Sequence, residues 1–488
     1  MGQKLRPWKT ILPIEIASGK AVFVQIAEGI ASEIKRGRLQ PGDSLPGSRV
    51  LADDLGVNRK TVVLAYEDLI AEGWLSTAYK RGTFVSEQLP KIKRAVEQPV
   101  KKASFDFYAF KAAGDRQQTP AGANLIYFND GLPDVRLAPL DELARAYKRI
   151  FQQKARWRMM GYSQEKGDDR LRKALAQMLV HDRGLSTTAE EICVTRGSQM
   201  ALYLTAHTLV KPGDRIAIET PGYLPAHETF KRAGADVVPV KIDEEGICLE
   251  ALEKTVKEGA IRAVYVTPHH QFPTTVTMNA ARRLELVALS NKYNFAIIED
   301  DYDHEYHFGQ RSFLPLASHE NAGNVIYISS LSKLVAPSVR IGYIAGPRSF
   351  IDSVAALRLI IDRQGDSVME NAVAELMEEG SITKHARKAW NIYKNRRDLM
   401  ETLLIKHLSG IASFTKPEGG LAFWLKFHQE IDTRELAERL DKQGVAVIPT
   451  ECFSFNGERL NALRLGYGSL NEKELAEGIA ALASVLKS

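Results

Sequence analysis

The chain is poor in cysteine. Cys193, Cys248 and Cys452 are the only three in 488 residues, and they stand far apart with no CxxC pair. That excludes a disulfide framework and a cysteine-spaced zinc site, and no metal is expected. No run of eighteen apolar residues occurs, so no membrane-spanning helix is expected. The start, Met1-Gly2-Gln3-Lys4-Leu5-Arg6-Pro7-Trp8, lacks the apolar stretch of a secretory signal, and Arg6 replaces the Ser or Thr of a myristoylation pattern. A reducing cytoplasm is the expected location. No composition bias marks disorder either: 44% of residues are hydrophobic and 26% charged, as in ordinary globular proteins. A chain of this length exceeds one hydrophobic core, so two or three domains are expected.

Charge is unevenly placed. Residues 1–124 hold 19 Lys and Arg against 13 Asp and Glu, while the remainder holds 46 against 47. The whole positive excess therefore lies in the first quarter, as phosphate binding requires.

In that quarter, Phe23, Ile26, Ala27, Ile30, Ala31 and Ile34 recur at helical spacing, and Gly37 ends the pattern. Gln40-Pro41-Gly42-Asp43 reads as a turn. Ser48 is the expected N-cap of a short helix through Leu51 and Leu55, stopped by Gly56. Asn58 is the expected cap of the next, with Val62, Ala65, Tyr66, Leu69 and Ile70 on its buried stripe and Gly73 as its stop. Two short helices joined at Gly56-Val57-Asn58 fit a helix-turn-helix. The second helix opens on Arg59, Lys60 and Thr61, residue types that bond base edges or phosphates. Trp74 to Thr77 and Thr83 to Val85 read as two strands around Tyr79-Lys80-Arg81-Gly82, a wing with two cations at its tip. The plainer alternative is a small helical domain with a solvated basic face. Residues 87–124 mix lysines with prolines and small residues and read as a basic tether.

From Ile126 onward, short apolar runs alternate with amphipathic stretches. Ile192–Thr195, Arg215–Ile218, Ala263–Val266, Phe295–Ile298 and Val325–Ile328 are expected strands, with helices through Met200–Leu209 and through Arg282 and Leu286. This pattern implies a mostly parallel sheet covered on both faces, with ligands beyond the carboxyl ends of its strands. The chemistry-bearing residues fall there. Lys333 offers an amine for a Schiff base with pyridoxal 5'-phosphate (PLP), and Asp300 a carboxylate for the ring nitrogen. Tyr302 can donate to the ring hydroxyl oxygen, and Tyr223 can stack on the ring. Ser198 and Gln199 open a helix where backbone N–H groups favour a phosphate, and Ser330, Ser332 and Arg340 can complete the cradle. Each piece alone is weak; their order along one sheet edge carries the reading.

The N-terminal segment resembles the winged helix-turn-helix of the GntR family. The likeness rests on Leu45-Pro46-Gly47-Ser48-Arg49, Leu55 to Val62, Glu72-Gly73 and Arg81-Gly82-Thr83-Phe84-Val85, with Gly47 where that family often has Ser. It implies DNA contact by Ser48, Arg49, Asn58, Arg59, Lys60, Thr61, Lys80, Arg81 and Gly82. Residues 125–488 are similar to fold-type I aminotransferases, through Gly161-Tyr162, Thr195 to Gln199, Pro221-Gly222-Tyr223, Glu299 to Tyr302, Ser330 to Lys333 and Arg340 to Tyr343. Together the halves resemble the MocR/GabR-type regulators, of which Thr267-Pro268-His269-His270-Gln271-Phe272-Pro273-Thr274 is characteristic. That run replaces the Asn-Pro-Thr-Gly of working aminotransferases, with His270 or Gln271 as stand-ins for the Asn, so any transaminase activity is expected to be weak. The resemblance also implies that Arg464 grips an effector carboxylate, and that the Gly-rich Glu418 to Phe423 run is structural.

The expected architecture is therefore multidomain. An α+β winged helix-turn-helix spans 15–86, and a tether spans 87–124. An α/β aminotransferase-like body spans 125–488, with a large part at about 160–345 and a smaller α+β part at about 346–488. The expected function is transcription regulation through double-stranded DNA, sensing an amino compound or PLP, as a homodimer and with RNA polymerase as a further partner. The alternatives are an aminotransferase with a DNA-binding head and a dimeric repressor without cofactor.

Overall fold

The computed structural model describes residues 7–15, 19–78, 81–90, 125–152, 156–309, 314–455 and 457–487. The chain divides into two compact units, Met1–Phe110 and Lys111–Ser488. Lys80 and most of the expected tether lie outside the described residues.

The first unit, here the head, forms where helical periodicity is strongest. Helix Val22–Lys35 buries Ile26, Ala27, Ile30, Ala31 and Ile34, the stripe read from the sequence. Helix Ser48–Leu55 ends on Gly56 in the left-handed conformation, which only glycine adopts without cost. Its cap is Gly47, not Ser48. Ser48 takes the first helical position, and its hydroxyl accepts from Arg59 Nε at 3.3 Å. Helix Arg59–Ala71 is capped as expected, with Asn58 Oδ1 accepting from the Lys60 amide at 2.9 Å. Strands Leu75–Ala78 and Gly82–Val85 pair antiparallel to form the wing. Ile26, Ile30, Leu51, Val62, Ala65 and Val85 make one core, which Trp8 and Leu12, upstream of the expected boundary, also enter. Each Ile, Leu or Val among them contributes roughly 1.5–3 kcal/mol on burial.

The second unit, the body, is built on an eight-stranded sheet. Five parallel neighbours form its centre: Val325–Ser330, Ala296–Asp301, Ala263–Val266, Arg215–Thr220 and Asp236–Asp243. Gly342–Ala345 runs antiparallel between Val325–Ser330 and Ile192–Thr195. Side chains alternate between two cores. Ile216 and Ile344 pack with Leu202, Ile351 and Val354 on one face, while Ala217 and Val264 pack with Leu252 and Leu286 on the other. Burial on both faces explains why Ile192–Thr195, Ala263–Val266 and the starts of Ala296–Asp301 and Val325–Ser330 read as unbroken apolar runs. Three strands run further than the apolar pattern suggests, and Arg215–Thr220 adds Glu219 and Thr220 to its expected run. Ala296–Asp301 carries Glu299, Asp300 and Asp301 inside the sheet, and Val325–Ser330 carries Ser329 and Ser330.

A third core gathers Phe128, Tyr393, Leu425, Leu465 and Ile479 around a three-stranded antiparallel sheet of Ala412–Phe414, Ala422–Phe427 and Ala462–Gly466. Strand Ile126–Phe128 pairs parallel with Val445–Val447, so the start of the body returns to this smaller part. Helices Arg348–Ile361 and Ser367–Glu378, by contrast, send Ile351, Val354, Ala372 and Val373 into the cores around the large sheet. The cores thus divide inside the long helix Ser381–Leu408, not near residue 346.

Candidate functional site

Two sites emerge, one on each unit. On the head, Arg49, Asn58, Arg59, Lys60, Arg81 and Gly82 are exposed, and Ser48 and Thr61 are half-buried. Among the described residues, no carboxylate pairs with Arg49, Arg59 or Lys60. Tyr66 donates its hydroxyl to the Pro46 carbonyl at 2.8 Å, fixing the recognition helix against the segment that leads into Ser48. The helix therefore presents Arg59, Lys60 and Thr61 from a rigid base. Exposed Leu64 and half-buried Val63 continue the same helix, and Val50 is exposed on the preceding one, so the cations are interleaved with apolar groups.

In the body, the carboxyl ends of the central strands converge on Lys333. The turn that carries it follows strand Val325–Ser330, and Tyr306 donates to the Lys333 carbonyl at 2.8 Å. The ammonium lies 4.4 Å from the centre of the Tyr302 ring and 3.7 Å from Asp303 Oδ2. Burial lowers the pKa of Lys333, with Asp303 and Asp130 opposing, so its neutral form is more accessible than for a surface lysine.

Asp300 sits one strand away. Its Oδ2 accepts from Tyr265 at 2.8 Å, while Oδ1 is buried without a partner. Burial pushes the carboxyl up to about 7, against the Tyr265 hydrogen bond. A buried carboxylate with one oxygen unserved suits a cationic ring nitrogen, which would supply the missing donor and stabilise the charge.

The anion cradle is built by backbone approach. Gly197 has φ of 82° and opens helix Ser198–Leu209. A Cβ there would lie 2.7 Å from the Arg340 guanidinium, so only glycine lets that arginine reach the helix start. Arg340 bonds the Arg196 carbonyl at 2.9 Å and keeps its other donors at the helix N-terminus. Ser330, Gly342 and Thr195 stand in one row across three strands. Ser330 is buried and Ser332 half-buried. The free N–H groups of the first helical turn, the cation and these hydroxyls fit a phosphate.

Four side chains take partners other than those read from the sequence. Tyr302 donates to the His270 carbonyl at 2.7 Å rather than standing free for a ring hydroxyl. The Gln199 amide binds Thr229 and accepts from Tyr223 at 3.3 Å, so Gln199 offers an anion only its backbone N–H. Gln271 is spent on the Phe272 carbonyl and Thr274 of its own loop and on the Pro221 carbonyl of the loop after Arg215–Thr220. His270 turns its Nδ1 to Asp303 at 2.6 Å. Of the two stand-ins for the aminotransferase Asn, Gln271 is fully engaged, whereas His270 keeps its Nε2 buried without a partner. Tyr223 packs edge-on to Phe272, with ring centres 5.3 Å apart.

Arg464 is 1% exposed. It bonds the Asp130 carbonyl at 3.0 Å and the Pro273 carbonyl at 2.6 Å, and lies 4.7 Å from the centre of the Phe272 ring. No carboxylate among the described residues lies within ion-pair distance of it, although Asp303 is coupled to its charge, so this buried guanidinium is placed to take an anion.

Tyr265, Asp303 and Asp130 have no place in the sequence reading. Tyr265 was accessible: a tyrosine within an apolar strand needs a partner for its hydroxyl. Asp303, one residue past Tyr302, gave no periodic signal. Behind the site, Asp301 accepts from Arg183 and from Tyr327, each at 2.6 Å, in a fully enclosed ionic cluster. Despite its burial, His269 and Arg183 hold its carboxyl well below the usual range.

The sequence pattern of the family described as "Aminotransferase class I and II" matches residues 124–482, and that of "Bacterial regulatory proteins, gntR family" matches residues 23–85. The probable rhizopine catabolism regulatory protein MocR of Rhizobium meliloti is 30% identical over 94% of this chain and 92% of its own length. The HTH-type transcriptional regulator TauR of Rhodobacter capsulatus is 31% identical over 95% of each. Among solved structures, the kynurenine aminotransferase of Pyrococcus horikoshii aligns with a TM-score of 0.71 at 30% identity, covering 75% of this chain and 91% of its own. Matches that run through head and body alike carry the conclusion: the chain belongs to the MocR- and TauR-type transcription regulators, which join a GntR-type DNA-binding head to an aminotransferase class I and II body.

Proposed function

We propose that this regulator binds double-stranded DNA through its head and senses an amino compound, or PLP itself, through PLP held on Lys333. The observation that carries the reading is the intact set of Lys333, Asp300 with its unserved Oδ1, and the Gly197–Arg340 cradle, on a chain that also carries an unpaired cationic recognition helix. When bound, PLP supplies an electron-withdrawing aldehyde that joins reversibly to amines. The rest is done by the chain. Lys333 provides the amine, and Asp300 balances the ring nitrogen. Ser198, Ser330, Ser332, Arg340 and the Gln199 amide hold the phosphate, while Tyr223 and Tyr302 wall the ring. Arg464 takes the carboxylate of an effector and orients its amine toward Lys333. On the head, Arg49, Arg59, Lys60, Lys80 and Arg81 meet phosphates and base edges, and Ser48, Asn58, Thr61 and Gly82 complete the interface.

An effector shifts DNA binding only by preferring one of two arrangements of the chain. Tyr162, Leu359 and Ile360 are exposed on the body, and pairing with a second copy is the arrangement that would cover them. Polymerase recruitment is a further role for the assembled regulator.

The test is a spectral titration of the purified chain with PLP and then with candidate amines, beside binding to duplex from upstream of its own gene. Visible absorbance that appears with PLP, changes with an amine and vanishes in Lys333→Ala is expected, together with DNA binding that responds to the amine. A chain that stays colourless and binds no duplex overturns the proposal. Rapid multiple turnovers with amino donors and keto acceptors would move it to the enzyme reading instead.

A further inference from the structure

Lys333 faces a carboxylate for which the site described so far has no use. Its Nζ lies 3.7 Å from Asp303 Oδ2, and that oxygen is buried with no hydrogen-bond donor. The other oxygen, Oδ1, lies 2.6 Å from His270 Nδ1. A carboxylate oxygen only accepts, so this ring nitrogen carries the hydrogen. The side chains of Asp303 and His270 are each 1% exposed, so solvent does not screen the arrangement. His270 is wedged in place: a Cβ on Gly419 would collide with its Nε2, and a Cβ on Gly420 would come within 2.9 Å of Asp303 Oδ2. The Gly419-Gly420 turn thus exists in a form that lets the pair approach.

From this geometry we propose that Asp303 is the counter-ion that sets the charge of Lys333, and that His270 is a positioning residue that holds the second oxygen of Asp303 and so limits its pull on the lysine. The proposal deepens the reading of Lys333 as the cofactor lysine and rests on it. Lys333 reacts with an aldehyde only as the neutral amine, because its lone pair makes the bond. A C=N bond then replaces C=O and one water leaves, with no oxidant or reductant required. Asp303 stabilises the ammonium and delays that reaction to higher pH. The Nδ1 hydrogen bond from His270 draws charge from Asp303 and advances it. The other groups that act on Lys333 are Asp130 and Glu305, which also favour the ammonium, Asp300, whose carboxylate is coupled to it, and Arg464, which disfavours it. Arg464 acts likewise on Asp303, and the His307 ring stacks 6.3 Å from His270. His270 occupies the place where an aminotransferase Asn is expected, yet it faces Asp303.

The experiment follows capture of PLP by the cofactor-free full-length chain, read as visible absorbance against pH. Asp303→Asn keeps the shape and removes the charge. It should move the midpoint of capture to lower pH, by about one unit or more. His270→Phe removes the donor and should move the midpoint the opposite way. His270→Asn places an amide N–H where Nδ1 stood and should restore the wild-type midpoint. A merely structural role for the pair would change yield or stability but leave the midpoint in place. Unmoved midpoints in Asp303→Asn and His270→Phe therefore overturn the proposal. If Asp303→Asn does not fold, the contrast between His270→Phe and His270→Asn decides by itself. A wild-type chain that captures PLP with a pH midpoint insensitive to these changes refutes the counter-ion alone. One that shows no absorbance at any pH overturns the cofactor lysine, and this inference with it.

Discussion

The head and the body solve opposite electrostatic problems. On the head, Arg49, Arg59, Lys60 and Arg81 stand in water, with no carboxylate partner among the described residues. In the body, Asp300, Asp303 and Arg464 are enclosed by protein and Lys333 is half-buried beside them, and Asp300 Oδ1 and Asp303 Oδ2 lack partners within it. Exposed cations cost little to maintain and act at a distance, but salt screens them. Buried groups cost desolvation in advance, and a matching ligand gains more from them because little water competes. A regulator that must find a long polyanion and discriminate a small molecule has reason to use both regimes.

The contrast can be broken most forcefully in the body. Asp301→Asn strands the Arg183 guanidinium without its buried carboxylate. A loss of about 3–5 kcal/mol is expected, because the remaining charge has no solvent to return to. In thermal unfolding of the full chain, the transition of the body should fall while that of the head stays in place. A shared fall would show that the two units unfold as one.

On the head, the double variant Arg59→Ala and Lys60→Ala should weaken duplex binding. The salt slope should shrink by about 1 for each phosphate no longer neutralised. Titrations at several salt concentrations measure this, and the cofactor absorbance should not change. If the absorbance falls too, the separation between the two sites is wrong.

A gentler probe uses pH. Asp300 rests at about 7 in the fold, against about 3.9 in an unfolded chain. Between those values the unfolded chain holds fewer protons, so Asp300 makes the cofactor-free body lose stability as pH rises from about 4 to about 7. Asp300→Asn should flatten that decline without abolishing it, because buried Glu219 and Glu299 also rest at about 7 and remain. Melting temperatures at acid and neutral pH compare the two proteins, and an unchanged slope would remove Asp300 from the set.

The smallest change expected is Asn58→Ala, which deletes the cap on the Lys60 amide. About 1 kcal/mol should be lost from the head alone, measurable by denaturant unfolding, with the body unaffected.

Legibility in the sequence follows the range of the interaction. The stripe Ile26, Ile30, Ile34 and the Asn58 cap were readable because each depends on residues within one or two helical turns. Ser48 was misread by one position, since Gly47 and Ser48 are both acceptable at a helix start and only the backbone angles separate them. Four of the five central strands were readable from apolar runs, but Asp236–Asp243, polar at both ends and only partly buried, was not, and nor were the strand ends. Glu299, Asp300, Asp301 and Ser330 are polar, and only neighbouring strands keep them in the sheet. The boundary inside the body escaped for a similar reason: Arg348–Ile361 is amphipathic wherever it packs, and nothing local says against which core.

From residue order alone came the inventory: an amine, a carboxylate and a cradle along one sheet edge, behind a capped basic helix. These depend on local periodicity and on the rule that parallel strands end at one side. The pairings came only from the fold. Asp300 meets Tyr265, Lys333 meets Asp303, and Arg464 reaches carbonyls at Asp130 and Pro273. Their separations in sequence run from 30 to 334 residues. No spacing rule spans such distances, because which side chains share a buried site is settled by how strands and cores stack, and each charge takes its strength from that enclosure.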